Sequence, residues 1–400
     1  MRVLMITPEP PYPLHGGGAY RIASLVHYFS RLAHVDLILI SESGQPALLP
    51  DGLVQSQTVI PLPVHGKGMW ERYTRNARRA VRGIPPLVDR LSGLGPAIAN
   101  AVRGRRYDLG IIEHFWCAPY IGELQAICDE TVLDLHNVES VLHKRCAATG
   151  SGLIAAGHRR FAPASRKLES TLLPRFSRVL VTSESDARLV TKIAPSARTV
   201  FYPNALPRME RSLPSEQPAL VFSANFEYHP NIDAVRYLTS EIWPETRKYW
   251  PELKIRLVGR GDSSIRHLLP LDAGIETTGP VADARAEIAA AQVVIAPLRA
   301  GSGTRIKILE AWSAARPVVA TSIAAEGLLA EHGGNIVLAD TAADFARAIV
   351  DLLADPGKRR RLGTAGQRTF ETHYTWEAAW RELDRNLQLP GSVELNRYTG

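Results

Sequence analysis

The stretch VVIAPLRAGSGTRIKILEAWSAARPVVATSIAA, Val293 to Ala325, decides the fold. It reads as a buried strand, a glycine-rich loop, a helix and a second buried strand. Val293 to Pro297 is a short apolar, β-branched run, the pattern of a strand covered on both faces. Gly301-Ser302-Gly303 follows, where the strand must turn into a helix. That helix is apolar most of the way round, with Ile306, Leu309, Ala311, Trp312 and Ala315. Its first turn carries Arg305 and Lys307, and a lone carboxylate, Glu310, lies further along. Cations at a helix N-terminus oppose the macrodipole. A bound polyphosphate reverses the balance, because backbone N–H groups and two cations then converge on one anion. Glu310 among apolar neighbours needs a partner, and ribose hydroxyls are one option. Each piece also has a plainer reading: a tight turn at the glycines, solvated cations, a structural cation beside Glu310. Position favours a ligand, since all these groups sit at the carboxyl end of a strand in an α/β pattern, where open sheets bind ligands.

Working outward, the chain of 400 residues is long enough for two domains. Its composition, 45% hydrophobic and 22% charged, is that of a globular protein. Cys117, Cys128 and Cys146 lack metal-like spacing and read as reduced thiols. The N-terminal MRVLMITPEP reaches proline before a signal-length apolar segment develops, and no stretch approaches the roughly 18 apolar residues of a membrane span. The expectation is a cytoplasmic protein. Lys and Arg exceed Asp and Glu by 47 to 40, giving +7, which suits anionic ligands or an anionic membrane face. The excess is too mild to imply nucleic acid, and no zinc finger, basic helix or aromatic–basic RNA motif appears.

The first half alternates strands and helices. Strands are expected at Arg2 to Thr7, Val35 to Ile40, Leu109 to His114, Thr131 to Leu135, Val179 to Thr182 and Val200 to Tyr202, with a helix from Gly16-Gly17-Gly18 to about Ala33. The second half repeats the pattern, with strands at Leu220 to Ser223, Ile255 to Val258, Ile275 to Thr278, Val293 to Ala296, Val318 to Thr321 and Ile336 to Leu338. Between them, ALPRMERSLPSEQP is rich in proline and charge and reads as a linker. The expected organisation is a first domain over 1–204, a linker over 205–218, a second domain over 219–373, and a C-terminal helical segment over 374–400 crossing back to the first. The expected fold class is α/β, two Rossmann-like doubly wound domains facing a central cleft.

Met69 to Arg82, MWERYTRNARRAVR, stands apart. On a helical wheel Trp70, Tyr73, Ala77 and Val81 gather on one side, and Arg72, Arg75, Arg78, Arg79 and Arg82 on the other. Lys67 and His65 precede them. This is the pattern of an interfacial amphipathic helix, and a surface helix packed on its own domain fits it equally.

Taken in order over nearly the whole chain, these pieces resemble the GT-B fold retaining glycosyltransferases of family 4. The matching segments are the first strand with Gly16-Gly17-Gly18-Ala19, LDLHNVES with His136, SESDARLV at Ser183 to Val190 and YPNA at Tyr202 to Ala205. In the second half they are LVGRGD with Gly259 and Gly261, TTGPVAD with Gly279 and Val281, and GTRIKILEAWSAARPVVAT with Glu310. FSANFEYHPNIDAVRYL and GSGTRIKILEA are similar to the branch associated with exopolysaccharide biosynthesis. Two departures stand out. The family's two glutamates, eight apart, correspond here to Ser302 and Glu310, and its arginine and lysine after the first strand of the second domain correspond to Asn225 and Pro230.

The resemblance implies a hexosyltransferase-type enzyme moving sugar from a sugar-nucleotide donor, with retention of anomeric configuration and no required metal or other cofactor. It implies donor binding by Gly17, Gly18, Gly259, Arg260, Gly279, Val281, Gly301, Ser302, Gly303, Thr304, Arg305, Lys307 and Glu310. Arg305 and Lys307, with Arg260, stand in for the missing phosphate cations. Glu310 would hold the ribose hydroxyls, the backbone near Gly279 to Val281 would meet the base edge, and His136 would touch the sugar near its reacting carbon. His114 is the weaker candidate of the two strand-end histidines, and Asp134 either orients nearby groups or is structural. The acceptor is expected to be a glycan, a lipid-linked molecule or a small molecule. An anionic membrane face is a further expected partner through Met69 to Arg82, which would make the protein peripheral on the inner face of the plasma membrane. A sugar-nucleotide epimerase and a non-catalytic sensor or scaffold subunit remain open alternatives. A dinucleotide-binding Rossmann enzyme is disfavoured, because no G-x-G-x-x-G follows the first strand.

Overall fold

The computed structural model describes residues 1–63, 68–209, 217–270, 274–281 and 283–387. Two compact units divide the chain. One comprises Met1–Ala147, Ser151–Asn204 and the chain from Ala379; the other comprises Ala205–Ala378 with Ala148–Gly150. Residues 210–216 of the expected linker lie outside the described residues, as do Lys67 and His65.

The first unit is built on a parallel sheet. Its strands are β1 (Arg2–Thr7), β2 (His34–Ser41), β3 (Ser56–Pro61), β4 (Tyr107–Glu113), β5 (Cys128–Leu135), β6 (Arg178–Val181) and β7 (Thr199–Phe201), in the spatial order β3-β2-β1-β4-β5-β6-β7. β1, β4 and β5 are buried nearly end to end, the consequence of helices on both faces of a parallel sheet. The strand order reverses between β1 and β4, so ligands are expected beyond their carboxyl ends. β3 is a strand that periodicity did not reveal. It lies at the sheet edge with only Ile60 fully buried, so its residues, SQTVIP, need little apolar character.

The second unit repeats the design with β8 (Gln217–Ser223), β9 (Lys254–Val258), β10 (Ile275–Gly279), β11 (Ala291–Ala296), β12 (Val318–Ala320) and β13 (Val337–Leu338), in the order β10-β9-β8-β11-β12-β13, all parallel. Its reversal lies between β8 and β11. The helix after β11, Ile306–Ser313, is held by Trp312, which is fully buried and donates its indole N–H to the Asn335 carbonyl at 3.0 Å. Across from it runs the helix Pro356–His373. An added Cβ at Gly366 would run into the Trp312 indole, and one at Gly363 into the Ala315 carbonyl. These two glycines permit the close approach that fixes the Ile306–Ser313 helix. Among the described residues, no helix is long and apolar enough to cross a membrane.

Gly366→Val is expected to destabilise the protein by on the order of 1–3 kcal/mol through overpacking. The exposed Thr364→Val on the same helix should stay within about 0.5 kcal/mol of wild type. Urea unfolding monitored by circular dichroism measures both, and equal midpoints would mean the helices meet without this constraint.

Candidate functional site

In the first unit, β4 and β5 run parallel with Glu113 opposite Asp134, so His114 and His136 emerge side by side one and two residues further on. Their rings lie 3.6 Å apart, centroid to centroid, and His114 stacks on Trp116 at 4.2 Å with the planes 5° apart. His114 holds φ at 65°, a conformation that costs a non-glycine residue about 1–3 kcal/mol and that clusters at functional sites. The helix Gly17–Ser30 starts beside this cluster. Gly17 opens it and Gly18 leaves room for the Glu9 carboxylate, with the His114 ring next to it.

Beneath the histidines lies an ion pair. Arg21, on the Gly17–Ser30 helix, is 1% exposed and Asp134 is wholly buried. Arg21 Nε donates to Asp134 Oδ2 at 2.7 Å and Nη2 donates to Oδ1 at 2.5 Å. Its third nitrogen donates to the Tyr202 carbonyl at 2.8 Å and to Asn204 Oδ1 at 3.0 Å, and the guanidinium lies over the Tyr202 ring. Burial alone would raise the Asp134 carboxyl, but the Arg21 guanidinium, with His136, outweighs it and holds the group well below the usual range. Glu113 goes the other way: burial, then the neighbouring Asp134 charge, pushes it well up. Burial, and next His114, pushes His136 down to about 4, so the imidazole is neutral at pH 7. His136 Nε2 lies 3.0 Å from Glu113 Oε2 and 3.2 Å from Asp134 Oδ2. Nε2 thus faces both carboxyl groups, one ionised and one pushed toward its neutral form.

Glu113, Asp134 and His136 bring their ligand atoms within 4.8 Å of one another, close enough for a metal ion. The donor set does not fit one. Arg21 already supplies the positive charge on Asp134 from inside the fold, and burial pushes Glu113 toward its neutral form. A cation here would meet a buried guanidinium.

In the second unit, the loop Gly301 to Thr304 continues from β11, where Ser302 and Thr304 are buried. Arg305 is the residue that caps the Ile306–Ser313 helix, with extended backbone; it is not in the first turn as the sequence suggested. Its guanidinium turns back on its own loop, with Nη1 donating to the Ser302 and Gly303 carbonyls. Lys307 donates to Asn231 Oδ1 at 3.1 Å and sits 4.5 Å over the Phe222 ring. Asn231 in turn donates to the Asn225 carbonyl at 2.8 Å, so the position without the family's arginine still joins the network. Burial, and next the charge of Arg305, pushes the Lys307 ammonium down to about 7. Glu310, 7% exposed, is pushed up to about 7 by burial, against the nearby Arg285 and Lys307. Among the described residues, no hydrogen bond reaches its carboxylate.

Gly259 and Gly279 meet at the carboxyl edge of β9 and β10, where the Gly259 N–H donates to the Gly279 carbonyl at 3.2 Å. Arg260 is exposed, its carbonyl accepting from the Phe226 N–H at 2.9 Å. Val281 is half-buried beyond β10. These residues stand two strands (β9) and three strands (β10) away from β11 in the sheet, so the Gly301 to Glu310 cluster and the Gly259–Val281 edge form separate parts of one rim. Sequence reasoning missed Arg21, Glu113, Trp116 and Arg285. Arg21 carried a signal, a single cation inside AYRIASLVHYF, of the same kind that marked Glu310.

Residues 217–355 match the family model described as Glycosyl transferases group 1. No curated protein matches the chain. Sucrose-phosphate synthase from Thermosynechococcus elongatus is similar in structure, with 17% identity, a TM-score of 0.74, and 96% of this chain and 97% of that one covered. Anabaena HepE in complex with UDP-glucose gives 15% identity and a TM-score of 0.64, over 96% and 98% of the chains. The trehalose-6-phosphate synthase OtsA gives 14% and 0.67, over 98% and 100%. The fold is GT-B, α/β with two doubly wound units, and the second unit carries the glycosyl transferases group 1 match.

Arg21→Met is expected to destabilise the protein by about 3–5 kcal/mol, because it strands the Asp134 charge in the interior. Adding Asp134→Leu should restore part of that loss. Urea titrations of the single and double variants decide it, and a single variant as stable as wild type would mean the pair organises nothing.

Proposed function

We propose that the protein is a retaining, metal-independent glycosyltransferase that moves a sugar from a nucleoside diphosphate sugar to an acceptor hydroxyl. The observation that carries this reading is Glu310: a buried carboxylate on the helix behind the glycine loop, pushed up to about 7 and reached by no hydrogen bond among the described residues. A buried carboxylate without donors is costly unless a ligand supplies them, and vicinal ribose hydroxyls supply two. Lys307, three residues away, and Arg305 stand where the diphosphate would accumulate charge as the anomeric bond breaks. The electron pair of that bond leaves with the diphosphate, the acceptor oxygen takes its place at the anomeric carbon, and the acceptor proton is released. In this reading the lysine, the arginine and the loop amides at Gly301 to Thr304 do the electrostatic work that a metal does elsewhere. Arg305 turns from the loop carbonyls toward the phosphate. Neutral His136 serves as a hydrogen-bonding group, not as a cation. Anabaena HepE, whose complexes contain UDP, UDP-glucose or UDP with glucose, supports a uridine nucleotide as the donor to try first. The resemblance of FSANFEYHPNIDAVRYL and GSGTRIKILEA to the exopolysaccharide-associated branch keeps that role within this proposal.

Glu310→Gln separates a binding role from a structural one. The carboxyl has a raised folded pKa, so its ionisation opposes folding: the penalty is absent below the unfolded value, grows as pH rises from about 4.5 to 7, and is roughly 3 kcal/mol at most. Glu310→Gln should therefore be more stable than wild type at pH 8 and equal to it at pH 4.5, while binding UDP about tenfold more weakly. Thermal unfolding at the two pH values and isothermal titration with UDP and UDP-glucose measure this. Unchanged UDP affinity would remove the ribose role.

The helix Met69–Arg82 forms as the sequence suggested, with Trp70 78% and Val81 81% exposed. Arg79 corrects the helical wheel: it is buried and pairs with Asp89 at 2.7 Å. The apolar side thus faces solvent and Arg79 anchors the opposite side, as an interfacial helix requires. The protein is expected to co-sediment weakly, in a salt-sensitive way, with phosphatidylglycerol vesicles and not with phosphatidylcholine vesicles. Arg75, Arg78 and Arg82, changed to glutamine together, should abolish it, at about 1 kcal/mol per charge. Equal recovery with both lipids would favour an acceptor presented away from membranes.

A further inference from the structure

Two cations flank the glycine loop Gly301 to Thr304, and the helix His229–Tyr237 holds both of them in different ways. Before the loop, Arg299 meets Asp233, which is 1% exposed: Nε donates to Oδ2 at 3.1 Å and Nη2 to Oδ1 at 2.7 Å, and the guanidinium lies over the Tyr237 ring. After the loop, Lys307 donates to Asn231 Oδ1 at 3.1 Å, and Asn231 Nδ2 is itself tied to the Asn225 carbonyl at 2.8 Å. Residues two apart on a helix do not face the same way, so one helix reaches both ends of the loop. The loop needs such a hold. Gly301 at φ 133° and Gly303 at φ 73° occupy conformations that favour glycine, the residue with the most backbone freedom to lose.

The two grips differ in charge. Asp233 closes on Arg299 as a bidentate carboxylate, so that cation is neutralised within the fold. Lys307 has three N–H donors, and the oxygen that receives one of them belongs to a neutral amide. The Phe222 ring, 4.5 Å from Nζ, completes the seat. A neutral acceptor orients an ammonium without cancelling its charge, whereas a carboxylate in the same place would cancel it. We propose that Asn231 is a positioning residue for the donor diphosphate: it fixes the Lys307 ammonium beside the glycine loop and, being an amide where Asp233 is a carboxylate, leaves that charge for the ligand. Donors held in place before the ligand arrives lose nothing to reorganisation when charge develops there. With Asn225 and Pro230 where the resemblance places an arginine and a lysine, the orientation of Lys307 matters more here than it would beside further cations. The role toward a diphosphate rests on the sugar-nucleotide reading; the hold on the two ends of the loop does not.

The test is isothermal titration of the full chain with UDP and with uridine. The nucleoside reports a folded base and ribose site, and the difference between the two ligands reports the diphosphate. Wild type should bind UDP at least about a hundredfold more tightly than uridine. Asn231→Ala should cut that preference about tenfold and leave uridine affinity at the wild-type value, and in a Lys307→Ala background the same change should have no further effect. Asn231→Asp, nearly the same in shape, brings to Lys307 what Asp233 brings to Arg299. It should lose at least as much of the preference, again with uridine affinity unchanged, and it guards against an Asn231→Ala that folds poorly. Equal weakening toward both ligands, or a loss in Asn231→Ala that persists in full without Lys307, would make Asn231 a structural residue and overturn the inference. A wild-type preference kept by both Asn231 variants would do the same. Each of these results leaves the sugar-nucleotide reading in place, whereas a wild type that binds UDP no better than uridine rejects that reading and the inference with it.

Discussion

The buried pair between Arg21 and Asp134 sets the terms for the rest of the first unit. One guanidinium ties the helix after β1 to the end of β5 and to the chain leaving β7, through Asp134, Tyr202 and Asn204. Removing both charges from water is expensive, and only bidentate geometry with the remaining donors satisfied offsets it. The pair then dictates protonation around it. Asp134 stays ionised because Arg21 faces it; burial and then the Asp134 charge push Glu113 up; burial and His114 oppose a charge on His136. A reactive-looking trio is thus pulled apart, Asp134 toward its charged form and Glu113 and His136 toward their neutral ones. Tyr202 passes the order outward to Ser24, whose hydroxyl and carbonyl both accept from the Trp380 indole.

The second unit solves the opposite problem. Its charged groups at the sheet's reversal point are not closed on one another in the same way. Lys307 has one amide oxygen and an aromatic face, and Glu310 has charges nearby but no donor among the described residues. Such groups weaken the empty protein and are kept where a ligand completes them. The rigidity needed to hold them comes from apolar contacts behind them, the Trp312 indole against the glycine-lined face of Pro356–His373. Stability is concentrated behind the site, and unsatisfied polarity in front of it.

Much of this was legible in the sequence, and the limits have physical causes. Buried parallel strands advertise themselves as apolar runs, so twelve of the thirteen strands were located to within a few residues. β3 escaped because an edge strand with one deeply buried residue has no period to read. Glu310, Lys307 and His136 were found because each breaks an apolar pattern. Arg21 breaks one too, but its meaning lies 113 residues away in Asp134, and only the fold brings them together. Glu113 reads as the end of a strand until the register of β4 against β5 sets it beside Asp134. The arginine face of Met69–Arg82 shows the reverse error. A wheel treats all five arginines alike, whereas Asp89 captures Arg79 and buries it while Arg78 and Arg82 stay exposed.

The near-neutral pair Lys307 and Glu310 has a consequence for how charge enters the site. Both are pushed toward 7 from opposite sides, by the same cause, burial. Burial favours the neutral amine and the neutral acid, since neither then needs solvation. An arriving diphosphate favours the ammonium, and ribose hydroxyls favour the carboxylate. On the proposed reading the ligand supplies what burial withholds from each group, which reconciles a dry, apolar helix with a charged substrate.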